Sequence, residues 1–61
     1  MTVTVFLLDK FKTPTQRDEV IYNVEKIWVL KNNVGTFYII EEEGGLITDY
    51  WLNRVKRIVI T

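Results

Sequence analysis

Short runs rich in β-branched and aromatic residues, bounded by polar and Gly-containing stretches, recur along this chain, and at its start apolar and polar positions alternate with a period of two, which together predict strands. In "TVTVFLL" (2–8), Val3, Val5 and Leu7 alternate with Thr2, Thr4 and Phe6, and the stretch predicts a first strand. "DKFKTPTQRDE" (9–19) is polar, holds the single Pro, and predicts a long charged loop. "VIYNVEKIWVLK" (20–31) supports two readings. Val20, Ile21, Val24, Ile27 and Trp28 fit helical spacing, and "TPTQ" (13–16) resembles a capping box with Pro at the first helical position. Val, Ile, Tyr and Trp are strand formers, however. A change of phase near Glu25 and Lys26 makes the stretch a strand with a bulge. The strand is the favoured reading, with at most one helical turn between 13 and 20.

The second half is easier to divide. "NNVG" (32–35) predicts a turn, since Asn and Gly tolerate positive φ. "TFYIIEEE" (36–43) predicts a strand, Gly44 and Gly45 a two-residue hairpin turn, and "LITDYWL" (46–52) the returning strand. Leu52, Val55 and Ile58 are three apart, as in one 3₁₀ turn, and "KRIVI" (56–60) closes as a last strand. The expectation is one all-β domain spanning 1–61, with five strands.

Counting outward from the two turns assigns faces, because successive strand side chains point to opposite sides. A two-residue turn at 44–45 sets Phe37 opposite Leu52, Tyr38 opposite Trp51 and Ile39 opposite Tyr50. A three-residue turn at 33–35 brings Val29 beside Ile39. One face then gathers Ile27, Val29, Phe37, Ile39, Tyr50 and Leu52, the expected core. The other gathers Trp28, Leu30, Tyr38, Ile40 and Trp51. An apolar patch of this size on a small protein marks an interaction site, unless the first strand, the long loop or the C-terminus folds over it.

Composition narrows the chemistry. The 61 residues contain no Cys and no His, which removes disulfides and ordinary zinc ligation. They also contain no Ser, so the common nucleophiles and the common general base are missing together. The expectation is a non-enzymatic protein with no cofactor, no metal and no small-molecule substrate. Eight acidic and eight basic residues balance, unlike the basic excess of a general nucleic-acid coat. No apolar run approaches membrane-spanning length, and "MTVTVFLLDK" lacks a basic leader, so a cytoplasmic protein without membrane contact is expected. Glu41, Glu42, Glu43 and Asp49 gather at the hairpin tip, where they discourage edge pairing. Arg54, Lys56 and Arg57 gather near the last strand and are candidate phosphate contacts.

The order of strand, long loop, three-stranded meander, one-turn break ("LNRVKRIVI") and final strand resembles an SH3-like barrel over nearly the whole chain. That fold hosts many functions. "VEKIWVLKNNVGTFYIIEEEGG" (24–45) resembles the central hairpin of the small DNA-binding chromatin proteins of hyperthermophilic archaea. The resemblance implies that Trp28 and Leu30 would lie on DNA, although Glu25 and Val29 stand where that family has bases. The short, Cys-free chain, rich in Ile, Tyr, Lys and Glu, also resembles small β-barrel proteins of Gram-positive phages and prophages. This implies an accessory that acts by binding another macromolecule. The leading expectation is a module that docks its aromatic face on a protein partner or on a second copy of itself. The alternative is nucleic-acid binding, with Trp28, Tyr38 and Trp51 stacking on bases and Arg54, Lys56 and Arg57 on phosphates.

Overall fold

The computed structural model describes residues 1–11 and 18–61, and the fold is all-β. Among these residues six strands follow in order: β1 (Val3–Leu7), β2 (Glu19–Ile21), β3 (Val24–Lys31), β4 (Thr36–Glu42), β5 (Ile47–Trp51) and β6 (Val55–Ile60). One 3₁₀ turn at Asp9–Phe11 follows β1, and another at Leu52–Arg54 joins β5 to β6. The capping-box reading of 13–16 lies outside the described residues. Asp18 is not helical and Glu19 already belongs to β2.

The strands form two antiparallel three-stranded sheets, in the orders β2-β1-β6 and β3-β4-β5. The expected meander is the second sheet. The expected single strand over 20–31 is two strands, because the chain breaks at Tyr22 and Asn23. Asn23 adopts φ 56°, a left-handed conformation that Asn tolerates better than most residues. This corner passes the chain from the first sheet to the second. Backbone hydrogen bonds fix it: Met1 N donates to Val24 O at 2.9 Å, Val24 N to Met1 O at 2.8 Å, and Glu43 N to Asn23 O at 2.9 Å. Beyond the corner, the bulge expected near Glu25 and Lys26 is present between Val24 and Lys26. The two sheets remain separate ladders among the described residues, so strand pairing does not close a barrel.

The core lies between the sheets. Val3, Val5 and Ile21 from the first meet Val24 and Ile40 from the second, with Leu7, Ile27, Tyr50, Val55 and Ile58 packed around them. Val3, Val5 and Ile40 are wholly inaccessible, and each contributes about 1.5–3 kcal/mol of hydrophobic stabilisation. The set is small, as a 61-residue chain requires.

Candidate interaction face

Both hairpin loops are one residue longer than the sequence suggests. In the β3–β4 hairpin Lys31 pairs with Thr36, so residues 32–35 form a four-residue loop. Asn32 causes this. Its Oδ1 accepts from Val34 N at 2.8 Å and Gly35 N at 3.1 Å, and its own N donates to Gly35 O at 2.9 Å. Asn side chains compete with the ladder in this way. In the β4–β5 hairpin Glu42 N donates to Leu46 O at 2.9 Å and Gly45 N to Glu42 O at 3.0 Å, which places Glu43, Gly44 and Gly45 in the loop. Gly44 and Gly45 have φ of 92° and 89°, a conformation that costs a residue with a Cβ.

The two one-residue shifts have the same sense, so they cancel between β3 and β5 and invert β4 against both. Trp28, Leu30 and Trp51 therefore keep a common face, as expected. Tyr38 and Ile40 do not share it. Leu30 pairs with Phe37 and Phe37 with Trp51, while Trp28 pairs with Ile39 and Ile39 with Asp49. The expected binding residue Ile40 is a core residue with no exposure, and Tyr38 shares its side of β4. The expected core residues Phe37 and Ile39 instead lie on the face turned away from the first sheet. Ile27 and Tyr50 keep their core assignment. Val29 lies on the core side but is 54% exposed, and Leu52 is exposed in the 3₁₀ turn.

The outer face of β3-β4-β5 thus forms a grid of three rows across the strands. Lys26, Glu41 and Ile47 form the row nearest the β4–β5 loop; Trp28, Ile39 and Asp49 the middle row; Leu30, Phe37 and Trp51 the far row. The Phe37 and Trp51 ring centroids are 4.4 Å apart with the planes tilted by 45°. The Trp51 ring also lies against Gly35. The Lys26 ammonium sits 5.1 Å from the Trp28 ring centroid, a cation–π contact. At the centre Ile39 is only 7% exposed, with Trp28 opposite and Phe37 two positions along on the same face. The layer is not closed: Leu30 is 44% and Ile47 56% exposed. A shallow groove lined by Val34, Gly35, Thr36, Trp51, Leu52 and Asn53 borders its far row.

The basic trio is not gathered on this face. Arg57 pairs with Phe6 on the outer side of the other sheet, its guanidinium carbon 4.4 Å from the Phe6 ring centroid. Lys56 is the extra residue of a bulge in β6, and Arg54 lies in the 3₁₀ turn after Trp51. Among the described residues no three carboxylates converge on a point where a metal ion would sit. A side-chain hydrogen bond joins the two sheets: the Tyr50 hydroxyl donates to Glu19 Oε2. Burial pushes the Tyr50 phenol well above the ordinary range, the hydrogen bond to Glu19 adds to this, and the charges of Glu19 and Glu42 follow.

No helix among the described residues is long and apolar enough to cross a membrane. Comparison with protein-family models, curated proteins and solved structures returns no match to this chain.

Proposed function

We propose that this protein is a non-enzymatic, cytoplasmic binding module that meets a protein partner, or a second copy of itself, through the outer face of β3-β4-β5. The carrying observation is the layer of Trp28, Leu30, Phe37 and Trp51 around Ile39, on the side of the sheet facing away from the core. Trp and Tyr dominate the energetics of protein interfaces, and a cluster of large apolar groups rimmed by charge is the usual form of such a site. Here the rim is Lys26, Glu41 and Asp49. The phage-protein resemblance points the same way, since it implies an accessory acting by contact. The element order also supports the SH3-like resemblance, with the last strand returning beside the first.

Nucleic-acid binding is the second reading, favoured by the single contact of Lys26 over Trp28. Against it, Arg57 faces the far side of the molecule, and the charged groups of the outer face sum to one cation and two carboxylates. Phosphate neutralisation supplies most nucleic-acid affinity, and this face offers little of it.

Site-specific photo-cross-linking in the native cell separates the readings. A photoreactive residue replacing Leu30 reports on the outer face. One replacing Val59, itself 39% exposed on the other sheet, is the control. The proposal expects protein adducts or dimers from position 30 and few from position 59. Nucleic-acid adducts at position 30 would favour the second reading. Equal protein labelling from both positions would remove the special status of the outer face.

A further inference from the structure

Four strands present an open edge among the described residues, and three of them carry devices that oppose further pairing. Edge strands resist pairing when they are short, bulged, or studded with Lys. β2 is three residues long. β3 carries the bulge between Val24 and Lys26, with lysines at 26 and 31 on opposite faces. β6 carries the bulge at Lys56, with Arg57 beside it. β5 differs from all of these. Its five residues, Ile47 to Trp51, pair with β4 in unbroken register and include no Lys, Arg, Pro or bulge, and Asp49 is the one charge among them.

The hydrogen-bond phase of β5 is also defined. Glu42 N donates to Leu46 O, so Glu42 and Leu46 are a hydrogen-bonded pair, and such pairs alternate along an antiparallel ladder. Thr48 and Tyr50 therefore direct their backbone groups toward β4. Ile47 and Asp49 direct both of theirs, and Trp51 its N–H, toward the edge left open among the described residues, while the Trp51 carbonyl begins the 3₁₀ turn Leu52–Arg54. The close Phe37–Trp51 ring contact fits this phase, because side chains approach most closely at non-hydrogen-bonded positions. These three residues are also the ones whose side chains lie on the outer face, in the pattern apolar, acidic, apolar.

We propose that the open edge of β5 accepts an extended segment of another protein as an added strand. In that strand a Lys or Arg sits opposite Asp49, between apolar residues opposite Ile47 and Trp51. The proposal rests on the reading that the outer face meets a protein, and it names the backbone and charge that align that partner. A second copy fits less well. An isologous β5 pair centred on Asp49 sets two carboxylates directly opposite each other, which is destabilising. Shifting it by two residues sets Asp49 against the partner's Ile47 or the partner's Trp51. A basic, apolar-flanked strand meets all three positions at once, and the same carboxylate that attracts it disfavours self-pairing.

The test is a titration of isotope-labelled protein, followed by amide chemical shifts, with the blocked peptide Thr-Val-Thr-Lys-Thr-Val-Thr and its Glu counterpart at millimolar concentration. The expected result is movement of the Ile47, Asp49 and Trp51 amides beyond that of Thr48 and Tyr50. The Lys peptide should bind about threefold or more tightly than the Glu peptide, and Asp49→Asn should abolish that preference. No movement at the β5 edge, movement at the β3 or β6 edge instead, or equal binding of the two peptides overturns the proposal. Movement of the Trp28 and Leu30 signals with β5 amides unchanged also overturns it, while leaving the outer-face reading standing. Concentration-dependent β5 shifts without peptide assign the edge to a second copy and overturn it as well.

Discussion

The Trp51 ring lies so close over Gly35 that a Cβ on the glycine would fall 2.5 Å from Trp51 Cζ3 and 3.2 Å from Cε3. The β3–β4 loop and the end of β5 are thereby packed on each other, and Phe37 supports the ring from its other neighbour position. Gly35→Ala should displace Trp51 and destabilise the fold by about 1–3 kcal/mol, the usual cost of overpacking. A lowered denaturant midpoint together with a shifted tryptophan emission would bear this out. An alanine variant as stable as wild type would show that the ring is free to move.

The inversion of β4 separates two neighbouring exposures sharply. Ile40→Ala should cost about 2–5 kcal/mol, because it opens a cavity in a core of few residues. Leu30→Lys should stay within about 0.5 kcal/mol of wild type, since Leu30 already faces solvent. Urea unfolding of the two variants gives the comparison. Equal losses would place Leu30 in the core or Ile40 outside it.

Asn32 sets the length of the β3–β4 loop through its two accepted hydrogen bonds. Asn32→Ala should lower stability by about 0.5–1.5 kcal/mol. Asn32→Asp, which keeps the acceptor oxygen, should recover most of it. Equal loss in both variants would assign the turn to the backbone alone.

Tyr50 makes stability depend on alkaline pH in a defined direction. Its phenol is raised above the ordinary value of 10.0, first by burial and then by Glu19. Its contribution is therefore complete below pH 10 and is lost as pH rises from there toward the folded-state value, because the unfolded chain releases the proton first. Thermal melting followed above pH 10 should show wild type losing stability more steeply than Tyr50→Phe. Parallel pH profiles would mean that neither burial nor Glu19 holds the phenol protonated in the folded chain.

Much of this architecture is legible in the residues. Alternation in 2–8, the aromatic and β-branched run in 36–43, the phase change at Glu25 and the three-residue spacing after Leu52 correspond to β1, β4, the β3 bulge and the second 3₁₀ turn. What the residues conceal is loop length. Asn32 is drawn out of the strand by its own side chain, and Glu43 joins two glycines that look like a complete turn. Each adds one residue, and strand faces reverse with every such step. Trp28, Leu30 and Trp51 survive as a group because two equal shifts cancel between the flanking strands. Phe37 and Ile39 were hidden by the same arithmetic, since nothing in a run of apolar residues tells one side from the other. The break at Asn23 had a visible signal: an Asn inside a β-branched run is a position where positive φ is cheap. The distribution of Arg54, Lys56 and Arg57 depends on the β6 bulge, which no local pattern announces.

The composition of the outer face is tested most directly by through-space contacts between side-chain protons in solution. Contacts are expected from the Ile39 methyls to the Trp28 ring and from the Phe37 ring to the Trp51 ring. Ile40 methyl contacts to Val3 or Val5 across the core are expected beside them. Contacts from the Ile40 methyls to the Trp28 ring, with Ile39 facing Val3 or Val5, would restore the opposite orientation of β4 and contradict the face on which the proposed function depends.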